Sequence, residues 1–158
     1  MTVHQKPFRS SLQTVKPEWI DFNGHLNMAY YNVLFDQAVD EVYAALGFGP
    51  EYQKTGCTTY VAEFHVCYLR ELHAGDQVNV SFHIVDSDEK RFHCYQELFH
   101  ADGWCAATAE GLTLHVDQSG PRVAPMPAGI QDRVQKWRAT QPPLPEDARV
   151  GRRIGLKK

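Results

Sequence analysis

The sequence predicts an α+β domain in which one antiparallel β-sheet wraps around a single long central α-helix. Between residues 27 and 46 the apolar residues Met28, Tyr31, Leu34, Phe35, Ala38, Val39, Val42 and Leu46 recur at three- and four-residue steps, the period of one helix face. Downstream, four segments of strand-like composition follow at hairpin spacing, joined by short polar or glycine-bearing loops.

In chain order, residues 8–15 alternate loosely and read as a first strand that stops before Lys16-Pro17. The helix spans residues 27–46, about five turns, with Gly47 placed to terminate it. Polar Asn32, Asp36, Gln37, Asp40 and Glu41 take its remaining face, so it suits enclosure by a sheet. Strands are expected at residues 58–71, 77–86, 91–100 and 104–116, with turns at His73-Ala74-Gly75-Asp76, Ser87-Asp88-Glu89-Lys90 and Ala101-Asp102-Gly103. In the first of these, Tyr60, Ala62, Phe64, Val66 and Tyr68 alternate with Val61, Glu63, His65, Cys67 and Leu69, and the apolar set is expected to meet the helix. Residues 128–140 read as a second, short helix with Ile130, Val134 and Trp137 on one face.

The expected organisation is one domain, residues 1–140, followed by a tail, residues 141–158. Gln141-Pro142-Pro143-Leu144-Pro145 breaks regular structure, and residues 149–158 hold five basic residues in ten. Two readings of this tail stay open. It is solvated, or it folds back or onto a neighbouring subunit with Ile154 and Leu156 buried and an arginine near the phosphates of a nucleotide-bearing substrate.

With 158 residues, 43% hydrophobic and 22% charged, the chain can build a core without disulfides or metals. A net charge of −3 offers no general attraction to nucleic acid or anionic lipid, so an anionic ligand needs a local basic patch. No apolar run approaches the ~18–20 residues that cross a bilayer, and residues 1–9 lack a signal-peptide core; a cytoplasmic location is expected. Cys57, Cys67, Cys94 and Cys105 form no Cys-x-x-Cys pair, and His65, His73, His83, His93, His100 and His115 show no metal-ligand spacing. No metal, organic cofactor, nucleic acid or membrane partner is expected.

The chemistry concentrates in residues 19–32, Trp-Ile-Asp-Phe-Asn-Gly-His-Leu-Asn-Met-Ala-Tyr-Tyr-Asn, where a carboxylate and a glycine turn precede the helix. A helix N-terminus presents unpaired N–H groups and partial positive charge, which can hold the oxygen of a polarised carbonyl. Asp21 stands where it can attack that carbonyl or activate water. The same residues also read as an ordinary Asx turn feeding a helix capped by Asn27.

This run resembles the signature of the 4-hydroxybenzoyl-CoA thioesterase-like branch of the hotdog-fold superfamily, Asp-x-x-Gly-His-x-Asn followed by a central helix. Asp21, Gly24, His25 and Asn27 occupy its positions, and Tyr30, Tyr31 and Phe35 resemble its aromatic-rich helix. The resemblance implies a hotdog fold and an acyl-CoA thioesterase that needs no cofactor. It implies that Asp21 is the catalytic carboxylate, as nucleophile or general base, and that backbone N–H groups near Asn27 and Met28 polarise the thioester. His25 is read as a positioning group or a proton shuttle. The family's active sites lie between paired subunits, so a homodimer or homotetramer is expected, joined at the long second strand whose edge would otherwise be exposed.

The combination of Asp-x-x-Gly-His at Asp21–His25, the Glu63-x-His65 pair, the segment Leu114-His115-Val116-Asp117 and the Gly-Arg tail is similar to betainyl-CoA thioesterases of carnitine breakdown. A quaternary ammonium group wants ring faces and a carboxylate, which Trp19, Tyr30, Tyr31 and Tyr60 with Glu63 are expected to supply. Two other classes share parts of this pattern. A hotdog enoyl-CoA hydratase carries Asp-x-Asn-Pro-x-His, against which Asp21-Phe22-Asn23-Gly24-His25 has glycine for proline and a histidine one residue too close. A non-catalytic acyl-binding module would keep the fold without requiring Asp21.

Overall fold

The apolar stripe of residues 27–46 forms one helix in the computed structural model, which describes residues 6–156. Helix α1 (Met28–Leu46) starts at Asn27, whose side-chain oxygen accepts the Ala29 N–H at 3.0 Å. It stops at Gly47, which turns into the left-handed region at φ 99° and lets the Gly47 and Phe48 N–H groups reach back to the Tyr43 carbonyl at 3.0 and 2.7 Å.

Among the described residues six strands make one antiparallel sheet: β1 (Gln13–Thr14), β2 (Cys57–Tyr68), β3 (Gln77–Ser87), β4 (Arg91–His100), β5 (Cys105–Asp117) and β6 (Arg122–Val123). They run in the order β1-β3-β4-β5-β2, with β6 added beside β5. Helix α2 (Ala128–Thr140) follows, as its period predicts. The first strand is much shorter than expected. The Ser10 hydroxyl, not a backbone carbonyl, accepts the Val80 N–H at 2.9 Å, so the ladder is interrupted before Gln13.

Strand β2 departs from simple alternation. Its register against β5 slips between Val61 and Glu63, leaving Ala62 as the extra residue of a bulge. Beyond the bulge Phe64, Val66 and Tyr68 face α1 as predicted, with Phe64 and Tyr68 edge-on to Phe35 and Tyr31 at 6.0 and 5.0 Å. Before it the faces are exchanged. Val61 and Thr59 line the helix side, while Tyr60 points to the outer face and is 47% exposed.

The concave side of the sheet holds two apolar clusters. Tyr31, Leu34, Phe35 and Ala38 from the first half of α1 pack with Val78, Val80, Leu98 and Ala109. Val42 and Leu46 from the second half pack with Phe82, Ile84, Phe92, and Ile130 and Val134 of α2. Each such side chain removed from water contributes about 1.5–3 kcal/mol, and together these fix where the N-terminus of α1 points. Arg133 of α2 closes the far end, donating from Nε to the Leu46 carbonyl at 2.9 Å.

A Cβ at Gly47 would stand 2.5 Å from an Arg133 guanidinium nitrogen, at a φ that L residues rarely adopt. Gly47→Ala is therefore expected to lower stability by about 1–2 kcal/mol, with the same denaturant slope as the parent. Equal midpoints in urea melts would show that this turn tolerates a side chain.

Candidate functional site

The loop before α1 is built by its own backbone. The Asp21 N–H donates to the His25 carbonyl at 3.1 Å, and the Gly24 N–H returns to the Asp21 carbonyl at 3.0 Å. Gly24 takes φ 85°, which explains a glycine there. Asp21 Oδ1 accepts the Asn23 N–H at 2.8 Å. The Asx turn and the Asn27 cap of the ordinary reading are thus both present, and they consume only one carboxylate oxygen. Two long-range bonds seat this loop: Leu26 N–H to the Leu72 carbonyl at 2.7 Å and Asn27 N–H to the Trp19 carbonyl at 3.0 Å.

Asp21, His25, Asn27, Met28 and Tyr31 share one cleft of about 480 Å³ with Tyr68, Arg70 and Glu71 from the end of β2 and the segment after it. Of the two N–H groups expected to polarise a carbonyl, that of Asn27 is taken by Trp19. Among the described residues the Met28 N–H has no hydrogen-bond partner. Tyr68 donates its hydroxyl to the Met28 carbonyl at 3.1 Å, tying β2 to the first turn of α1. Arg70 stacks over Trp104 at 4.1 Å, which leaves a fixed cation at the rim.

A second pocket of about 490 Å³ lies farther along the same groove between α1 and β2. Phe35, Tyr43 and Phe64 supply ring faces, and Asp36 and Gln96 supply polar groups. Burial, reinforced by Asp40, raises the Asp36 carboxyl above its ordinary value. Burial likewise pushes the Tyr43 hydroxyl up to about 12. Gln96 is 2% exposed, and its side-chain oxygen accepts no hydrogen bond among the described residues. A buried acceptor without a donor costs free energy, so an incoming donor or cation gains there.

Four of the expected substrate-binding positions are placed elsewhere. Trp19 is 8% exposed and stacked on Tyr30 at 5.3 Å, which makes the pair part of the first core cluster rather than an open aromatic wall. Tyr60 and Glu63 lie on the outer face of the sheet, across β2 from Tyr31, because the Ala62 bulge turns Tyr60 outward. The expected box of Trp19, Tyr30 and Tyr31 around Glu63 is therefore not assembled within this chain. Glu63 instead borders an outer depression with His65, His93, Glu110 and Arg152, in which His93 Nε2 pairs with Glu110 Oε1 at 2.7 Å. Among the described residues no His, Cys, Asp and Glu side chains form a metal-holding group.

His115 has a structural task. Its Nδ1–H donates to the Ala124 carbonyl at 2.7 Å, so its Nε2 accepts from the Tyr52 hydroxyl, also at 2.7 Å. Asp36, Gln96, Tyr68, Arg70 and Glu71 were not singled out as site residues from sequence. Gln96 alone carried a signal, a polar residue at an inward position between Cys94 and Leu98.

Comparison with known proteins places this geometry. Residues 15–134 match the model of the thioesterase-like superfamily. A betainyl-CoA thioesterase of Pseudomonas aeruginosa is 35% identical over 144 residues, 90% of this chain and 91% of that protein. A relative from Agrobacterium fabrum, an L-carnitine dehydrogenase/betainyl-CoA thioesterase, is 30% identical over 96% of this chain, which spans 32% of that relative's length. Among solved structures, the Staphylococcus aureus protein SAV2348 in complex with CoA superposes with a TM-score of 0.90 at 28% identity, covering 98% of each chain. No helix of the described residues is long and apolar enough to cross a membrane. The carboxylate, the glycine turn and the open helix N-terminus are thus features of a chain that belongs to the thioesterase-like superfamily and is a hotdog-fold thioesterase.

Proposed function

We propose that this chain hydrolyses a small acyl-CoA to the free acid and CoA, with Asp21 as the catalytic carboxylate and the Met28 N–H as the oxyanion donor. The observation that carries this reading is the shared cleft lined both by Asp21, whose second oxygen is left over from the Asx turn, and by Met28, whose N–H is unpaired at the positive end of α1. The thioester carbonyl oxygen rests against Met28. Asp21 then either attacks the carbonyl carbon, giving an anhydride that water cleaves, or takes a proton from the attacking water. In both routes the C–S bond breaks, one water is consumed and CoA leaves as the thiol. Arg70 at the rim offers the local positive charge that the CoA phosphates need in a chain of net charge −3.

Betainyl-CoA is the substrate that the Pseudomonas aeruginosa relative suggests. Its ammonium sits one methylene from the carbonyl, so recognition must come from groups close to Asp21. Asp36 lies two turns, about 12 Å, along α1 from Met28, too far within one subunit. Strand β2 is a 12-residue edge with Val61, Phe64 and Tyr68 exposed, which favours pairing with a second copy. An antiparallel β2–β2 join turns one copy's groove toward the other's cleft. Asp36, the Gln96 oxygen and the rings of Phe35, Tyr43 and Phe64 then receive the cation in trans, the role expected of Glu63 from sequence.

Three measurements test this. Asp21→Asn should lower kcat by at least ~10²-fold while the fold persists; turnover within a few-fold of the parent makes Asp21 a turn residue only. Asp36→Asn should reduce the preference for betainyl-CoA over a neutral isostere about thirtyfold, the worth of ~2 kcal/mol of desolvated cation binding, whereas Glu63→Gln should leave it unchanged. Sedimentation at micromolar concentration should give a dimer or larger assembly, and an active monomer would remove the trans pocket.

A further inference from the structure

The chain after α2 is tied across the sheet as far as Gly151 and then runs on without burying its apolar side chains. Gln141 clasps β3, accepting the Ile84 N–H at 2.9 Å and donating to the Ile84 carbonyl at 2.8 Å. Farther on, the Arg149 N–H donates to the Tyr95 hydroxyl of β4 at 3.3 Å. The Gly151 N–H then meets both carboxylate oxygens of Glu110 on β5, at 2.9 and 2.8 Å. Arg152 borders the outer depression with Glu63 and His65 of β2. The segment therefore crosses the outer face in the strand order β3, β4, β5, β2 and arrives at the free edge. Beyond it, Ile154 is 91% and Leu156 97% exposed.

We propose that residues 153–156 form an arm that passes the β2 edge and lies on the outer sheet face of a second copy of this chain, with Ile154 and Leu156 against that copy's Tyr60, Leu112 and Leu114. Four extended residues reach about 13 Å, nearly three strand spacings of ~4.8 Å, enough to cover the second copy's β2 and reach its β5. The receiving patch exists on this chain. Tyr60 stands opposite Leu114 across the β2–β5 ladder, Leu112 lies two residues along on the same face, and the segment after α2 of the same chain leaves Tyr60 47% exposed. An antiparallel join sets the His65 half of one β2, where Arg152 lies, beside the Tyr60 half of the other. The charges agree as well, since Arg152 and Arg153 approach an outer face that carries Glu63 and Glu110 from each copy. The proposal rests on the β2 edge pairing proposed above. It makes the exchange reciprocal, each copy giving an arm and receiving one.

The test uses the full chain, a form ending at Gly151, and the double variant Ile154→Asp with Leu156→Asp. In sedimentation equilibrium both altered forms should raise the dimer dissociation constant by about tenfold or more, with kcat unchanged at concentrations where the dimer is intact. A trans contact is read directly by mixing a 15N-labelled Leu156→Cys chain with an unlabelled Leu114→Cys chain, oxidising, and identifying the linked peptides by mass. Linked pairs of mixed label are expected. An unchanged dissociation constant with no mixed-label pair overturns the arm while leaving edge pairing intact. A full chain that is monomeric throughout overturns both.

Discussion

One side of α1 is buried by the curved sheet, and the position of the candidate site at its N-terminus follows from that burial. Leu34, Phe35, Ala38, Val42 and Leu46 are at most 2% exposed, so the helix cannot slide or rotate without opening both core clusters. A helix held this firmly along its length has a fixed N-terminus. The Met28 N–H, the first turn and the Asn27 cap then stand still relative to the strands, and the Tyr68 bond to the Met28 carbonyl adds a lateral tie. Catalytic groups built on such an element are placed by core packing rather than by their own side-chain contacts.

The loop before the helix adds economy of use. Asp21 closes a turn with one oxygen while the residue also lines the cleft, so the proposed chemistry would draw on a carboxylate that local folding already uses. Trp19 works similarly from behind. Its carbonyl holds the Asn27 N–H while its ring, stacked on Tyr30, fills the space beneath the loop. The loop is thus held by hydrogen bonds and packing, and the cysteines, all outside it, are free. Burial pushes the Cys94 thiol up to about 12 and the Cys105 thiol up to about 11, which keeps both protonated at neutral pH.

Much of this was legible in the sequence because it depends on short-range periodicity. The span of α1, its Asn27 cap and Gly47 stop, the four long strands and α2 all follow from spacings of two or 3.6 residues and from turn chemistry. The loop Asp21–Gly24–His25–Asn27 could be read as a turn and as a site, and it has the geometry of both. What was not legible depends on contacts between distant segments. Nothing in the string Thr59-Tyr60-Val61-Ala62-Glu63 marks a bulge, since its alternation is acceptable on either side. Trp19 looked like pocket lining because an aromatic residue next to a motif has no sequence mark of burial. Gln96 and Asp36 sit on different elements, and only the closure of the groove between α1 and β2 brings them to one pocket.

The bulge at Ala62 divides β2 into two parts that answer to different pressures. Residues 64–68 are bound to the core and to the first turn of α1, so substitutions there are constrained by packing. Residues 57–61 have the opposite phase, which gives Thr59 and Val61 to the groove and Tyr60 to the outside. A one-residue insertion or deletion at the bulge would rephase that half alone, exchanging its groove-lining and outward side chains in a single step. Related chains could in this way change the residues that line the groove while the loop of Asp21 and the first turn of α1 stay as they are, so groove lining and helix N-terminus are free to diverge at separate rates.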